Sequence, residues 1–158
     1  MQWQEVCNHP DLQNLPFKIE LNERGQIVMS PVKVYHSAYQ GEIGHWLRAL
    51  LNAGKTLPEC AIKTRKGTKV ADMAWVSGAR FQQIKQETEC SVAPEICVEV
   101  LSSANSSEEI REKRTLYFEC GAEEVWICTK QGKMRFFNRA GQLKASQLVP
   151  DFPQKIEL

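Results

Sequence analysis

The sequence predicts an α/β (α+β) fold in which helices flank a mixed central β-sheet. Three observations predict it. The segment PEICVEVLS is almost continuously apolar, as a strand covered on both faces must be. Two other segments, about 38–52 and 107–120, carry helical spacing or helix-end signals. The strand-like segments fall before, between and after these helices, without the regular alternation of strand and helix that builds a doubly wound nucleotide-binding sheet. Neither GxGxxG nor GxxxxGK[ST] occurs.

Each element has a local cause. Asn22 to Gly25 is a turn between LPFKIEL and QIVMSPVKV, so the chain opens with a hairpin or meander. Ser37 is placed to cap a helix from about Ala38 to Asn52, which Gly54 ends, and Tyr39, Ile43, Trp46, Leu47, Leu50 and Leu51 recur at helical spacing. His36 sits where that helix starts. Pro58 opens a short strand, ECAIKT; RKGT is a tight turn; KVADMAWVS is the next strand. SGARFQQIKQETE reads as a short polar helix or loop, and PEICVEVLS as the central strand. Ser106 or Ser107 caps a helix that runs to about Cys120, with Gly121 as its stop. EEVWICT and KMRFFN, joined by KQGK, form a hairpin, and LVPDFPQKIEL ends in one more short strand. Trp75 and Trp126 belong to the core.

The 158 residues suit a single domain over 1–158 with one real core. Hydrophobic residues are 42% and charged residues 25%, ordinary for a globular protein, and no apolar run approaches the roughly 20 residues of a membrane span. MQWQEVCNHPDLQN lacks the basic-then-apolar pattern of a secretory signal, so a cytoplasmic protein with no membrane partner is expected. A formal net charge of +1 argues against coating of nucleic acid by bulk electrostatics, though not against a local basic patch. The six cysteines contain no CxxC pair and no Cys/His cluster at zinc spacing, so reduced, mostly buried thiols are expected.

Two acids interrupt apolar strands. Asp72 shares a strand face with Val70, Ala74 and Val76, and Glu99 lies deep in PEICVEVLS with no basic residue beside it. A buried carboxylate needs a cation or a shifted pKa, and a hard divalent metal is one solution. A cross-sheet ion pair or an oligomer interface is another. Lys113 follows Glu99 by fourteen residues, on a helix that can fold back over the strand ends. It also stands four residues after Glu109, the spacing of an ordinary surface pair. Two carboxylates and a lysine are the minimum set for metal-dependent phosphodiester cleavage. Glu42, on the first long helix, either reaches such a metal from the side or is a solvated face residue. Lys63, Arg65, Lys66 and Lys69 form a basic turn leading into the Asp72 strand, suited to phosphate contact or simply to solvent.

In order along the chain, HSAYQGEI, VADMAWVS, PEICVEVLS and EKRTLYFECGAEEVWI resemble the Uma-two family of restriction endonucleases, part of the PD-(D/E)XK nuclease superfamily. The similarity runs upstream through ELNERGQIVMSP and downstream to LVPDF; no single motif is specific, but the ordered set is. Ala71 stands where proline usually precedes the first acid, Ser103-Ala104 replaces Pro-Ser, and Glu109 replaces an Asp.

The resemblance implies a restriction-endonuclease-like fold and a metal-dependent DNA endonuclease. It implies that Asp72 and Glu99 hold Mg²⁺ or Mn²⁺. The superfamily lysine normally sits two residues after the second acid, where this chain has Leu101. The resemblance moves that role to Lys113 and leaves Leu101 only a backbone carbonyl to offer the metal. Glu42 corresponds to an additional helical ligand. In-line attack leaving a 5′-phosphate is implied, and a homodimer is expected because cutting a duplex takes two active sites. The competing expectation is a non-catalytic nucleic-acid or protein interaction module on the same scaffold, and a third is hydrolysis of another phosphate ester.

Overall fold

Turn chemistry and strand patterning place the first elements where expected. In the computed structural model, which describes residues 1–158, β1 (Phe17–Leu21) and β2 (Ile27–Pro31) form an antiparallel hairpin closed by the Asn22–Gly25 turn. A short helix, α1 (Trp3–Asn8), precedes it. Helix α2 spans Val34–Leu50, starting several residues before the expected Ser37 cap. No helix breaker separates Val34 from Ser37, and Tyr35 and Tyr39 both pack on the core, so packing extends the helix backwards. At the other end Gly54, at φ +82°, turns the chain into the sheet.

The main sheet is mixed and six-stranded: β3 (Lys55–Thr64), β4 (Gly67–Val76), β5 (Ile96–Val100), β6 (Glu124–Cys128), β7 (Met134–Asn138) and β8 (Gly141–Leu143), in that spatial order. Only β5 and β6 run parallel. Their crossover is α4 (Ser107–Glu119), where the Ser106 hydroxyl accepts from the Glu109 N–H and Gly121 at φ +105° follows the end. The doubtful segment after β4 is a helix, α3 (Gly78–Ile84), capped by Ser77. Strand β3 is longer than expected and contains Pro58, tolerated because β3 lies at the sheet edge.

The sheet has a core on each face. On one side α2 buries Tyr39, Ile43 and Leu47 against Ile96, Val98, Trp126 and Phe136. On the other, Tyr117 of α4 packs against Cys97, Val125 and Ile127. The alternation in β5 and β6 is that of strands buried on both faces. The expected C-terminal strand is absent. Val149, Phe152 and Ile156 instead plug the α2-side core from an irregular tail, tied down by Ile156 N–H to Gly132 O (2.8 Å), Met134 N–H to Gln154 O (2.9 Å) and one isolated bridge. All six cysteines are free thiols. No helix is long and apolar enough to cross a membrane.

Candidate active site

Strand register brings the two acids together. The β4–β5 ladder pairs Trp75 with Ile96, Ala74 with Cys97 and Met73 with Val98, then stops. One step further, Asp72 and Glu99 face each other across the parting strands. On its other side β4 also loses its partner at this level, because the β3 residue opposite Asp72 is Glu59, at φ +51°. A non-glycine residue in that region is strained.

Side chains replace the missing ladder. Asp72 Oδ2 accepts from the Val100 N–H at 2.7 Å, and the Asp72 carbonyl accepts from Gln40 Nε2 at 2.6 Å. His36 Nε2, one helical turn before Gln40, lies 3.4 Å from Asp72 Oδ2 and 3.1 Å from the Val100 carbonyl oxygen. Glu99 Oε2 accepts from the Tyr117 hydroxyl at 3.0 Å. Each acid is therefore held by one oxygen, and its other oxygen is turned toward a cleft of about 210 Å³.

Those free oxygens share one cation. Lys18 Nζ, from β1, lies 3.1 Å from Asp72 Oδ1 and 3.3 Å from Glu99 Oε1. Lys113 Nζ, from α4, lies 3.0 Å from Glu99 Oε1 and 2.8 Å from Glu20 Oε2, and Glu20 Oε2 also accepts from the Val70 N–H at 2.7 Å. Three carboxyl groups thus meet two ammoniums. Burial raises the pKa of Asp72, but Lys18 and His36 outweigh it and bring the group down to about 2. Glu20 is likewise held below the usual range, its burial outweighed by Lys113 and Lys18. Glu99 goes the other way: burial raises it, and the two ammoniums only partly compensate. The hydrogen bond to Asp72 raises His36, against the effect of its burial. Burial lowers Lys18, but Glu99, Asp72 and Glu20 together raise it well above its ordinary value.

The structure brings Asp72, Glu99 and Lys113 together and leaves Glu42 out. Glu42 is exposed and does not line the cleft. It is two residues past Gln40, about 200° around the helix, so the side that faces Asp72 carries His36 and Gln40 instead. Leu101 follows β5, donates its N–H to the Cys128 carbonyl at 2.8 Å and packs on the α4-side core. Two of the four basic-turn residues are paired with carboxylates. Arg65 pairs with Glu119 at 3.0 Å, Lys66 pairs with Glu112 at 3.0 Å, and Lys63 is exposed. Lys69 lines the cleft and donates to the Leu21 carbonyl at 3.2 Å.

Sequence reasoning missed Lys18, Glu20, Gln40 and Tyr117, and took His36 only as a helix start. One signal was present: Lys18 and Glu20 are two apart in FKIEL, so they share a strand face.

The donor set fits a hard divalent cation. Asp72 Oδ1 and Glu99 Oε1 converge on a single cationic position, occupied by an ammonium, and Glu20 adds a third carboxylate nearby. They do not form a closed cage of three or more acid, histidine or cysteine ligands, and the Lys18 ammonium lies between Asp72 and Glu99.

Comparison with known proteins agrees with this architecture. The chain is similar to a crystal structure described as a putative nuclease belonging to DUF820 from Anabaena variabilis ATCC 29413, with a TM-score of 0.71 and 16% identity over 98% of this chain and 94% of that one. At that identity the likeness shows the fold: α+β, with a mixed six-stranded sheet and helices. No curated protein matches the sequence. The family model described as "Uma2: Putative restriction endonuclease" matches residues 3–158. Spanning nearly the whole length, that match shows that this chain belongs to the Uma2 family.

Proposed function

We propose that this protein is a divalent-metal-dependent endonuclease that hydrolyses DNA phosphodiester bonds through a restriction-endonuclease-like site, with residues 1–158 working as one domain. The observation that carries the reading is the meeting of Asp72 and Glu99 at a broken strand ladder, with Lys113 Nζ 3.0 Å from Glu99 at an open cleft. A buried acid outside this cluster looks different. Glu124 is satisfied by the Gln147 and Leu148 N–H groups, the Trp126 indole and the Ser146 hydroxyl, with no ammonium and no cleft.

Asp72 and Glu99 would hold Mg²⁺ or Mn²⁺, with Glu20 taking the place first given to Glu42; Leu101 does not line this cleft and takes no part. When bound, such a cation supplies Lewis-acid stabilisation of charge on a phosphoryl oxygen. The remaining roles belong to the chain. The Val100 N–H and His36 fix the Asp72 carboxylate, and the Tyr117 hydroxyl fixes that of Glu99, so both outward oxygens are set before anything binds. Lys113 offers a positive charge and up to three donors at the edge of the acid pair, where it can orient an attacking water and offset charge building on the phosphate. Lys18, filling the same position as the cation, must yield for it to enter.

The test is cleavage of supercoiled plasmid with and without Mg²⁺. Asp72→Ala and Lys113→Ala each abolish nicking, with a loss of at least about 100-fold, as removal of a charge-stabilising group does. Metal-dependent cutting that persists in both variants ends the assignment. Wild-type protein that binds DNA but never cuts leaves an interaction module on this scaffold. Double-strand cutting takes two such sites, so a homodimer is part of the proposal, checked by analytical ultracentrifugation.

A further inference from the structure

We infer that Arg111, Arg114 and Arg135 form a separate phosphate-binding subsite that holds the backbone of duplex DNA beside the acidic cleft. The inference rests on the nucleic-acid reading above, but on different residues. The three arginines line a cleft of about 290 Å³ between α4 and strands β6 and β7, and no carboxylate lines it. Several basic side chains elsewhere do find partners: Arg65 on Glu119, Lys66 on Glu112, Arg80 near Glu95 and on two carbonyls. Arg111, Arg114 and Arg135 have neither an ion pair nor a carbonyl.

Arg114 is the clearest case. Its guanidinium carbon lies 3.8 Å from the centroid of the Phe137 ring, and its Nε is buried without a hydrogen-bond partner. Stacking holds the planar group in one orientation while leaving it unpaired. A buried donor without an acceptor is rare in a folded protein and points to a missing partner. Burial, followed by the like charge of Arg111, lowers the pKa of Arg114. An anion in this cleft would relieve both effects.

The geometry suits a phosphodiester. Guanidinium groups bind phosphate oxygens in pairs, and a stacked arginine is already ordered for it. The cleft borders the acidic one at Asn105, which lines both. A polynucleotide backbone leaving Asp72 and Glu99 over Asn105 therefore arrives at the arginines. The basic turn at Arg65 and Lys66 offers no such free charge, because α4 carboxylates already neutralise it.

The test is fluorescence anisotropy with a labelled duplex DNA and no divalent metal, so that binding is read without cleavage. Arg111→Ala and Arg135→Ala alter exposed side chains. Each should weaken binding roughly fivefold and flatten the slope of log affinity against log salt by about one, with an unchanged melting temperature. Arg114→Lys keeps the charge but loses the paired geometry, and should weaken binding while the protein stays folded. Lys63→Ala serves as the comparison and should change little. Wild-type affinity and slope in both Arg111→Ala and Arg135→Ala overturn the inference, as does a wild-type protein that does not bind duplex DNA. Tighter binding of duplex RNA than DNA overturns the choice of DNA. The two readings fail separately. Loss of binding in the arginine variants of a protein that never cuts keeps the subsite and removes the nuclease. Plasmid cutting that is unaffected by the arginine substitutions does the reverse.

Discussion

Lys18 is the residue on which the resting site turns. Its ammonium satisfies the outward oxygens of Asp72 and Glu99 at once, in a setting where its side chain is only 12% exposed. Removing one partner of a buried pair leaves a charge uncompensated. Lys18→Met should therefore destabilise the metal-free protein by about 3 kcal/mol. Mg²⁺ should raise its melting temperature more than that of the wild type, since binding to the folded state adds stability and the competing ammonium is gone. Equal Mg²⁺ responses in calorimetric melts would remove Lys18 from the cation position. Asp72 makes a pH prediction of definite sign. Its folded pKa of about 2 lies below the ordinary 3.8, so its contribution is complete above about pH 4 and is lost as pH falls through about 2. The shift corresponds to about 2 kcal/mol. Urea denaturation from pH 2 to 7 should show that acid limb in the wild type and lack it in Asp72→Asn; an unchanged limb would refute the pairing.

At the scale of elements, the site exists because strands part. Where β4 leaves β5 after Met73–Val98, the Val100 N–H turns to Asp72 and the Val70 N–H turns to Glu20. The β1–β2 hairpin fills the gap and delivers Lys18 and Glu20. It rests on the β3–β4 turn, where Gly67 at φ +89° approaches the carbonyls of Leu21 and Asn22. A Cβ there would run into those carbonyl oxygens. Gly67→Ala should cost about 2 kcal/mol or more from backbone strain and displace the hairpin. Cleavage should fall further than stability alone explains. A variant with wild-type melting temperature and activity would show that the hairpin does not depend on this contact.

For the whole molecule, the sheet is buried on both faces, and the irregular tail completes one of them. Deleting residues 149–158 removes Val149, Phe152 and Ile156 from around Trp126 and Phe136. At about 2 kcal/mol for each large buried apolar side chain, the loss is comparable to the whole stability of a domain this size. The truncated chain should show no cooperative unfolding by circular dichroism, whereas the full chain should unfold in one transition. A native-like melt after truncation would mean that the tail is an accessory.

Local chemistry determined much of this protein. Period-two and period-3.6 patterns, the Asn22–Gly25 and Arg65–Lys66 turns, the Ser106 cap and Gly121 each act within a few residues, so most strands and both long helices were legible in the chain. So were Asp72 and Glu99, because an acid inside an apolar strand stands out against its neighbours. Only the tertiary structure decided what meets those acids. Lys18 approaches Asp72 from 54 residues away in sequence, and no local pattern encodes that distance; Lys113, 14 residues from Glu99, takes its role in the sequence only from the family resemblance. The phase of α2 excluded Glu42 and admitted His36 and Gln40. Ion pairs across the fold neutralised Arg65 and Lys66 of the basic turn and left Arg111, Arg114 and Arg135 without partners, because charge neutralisation depends on which surfaces touch.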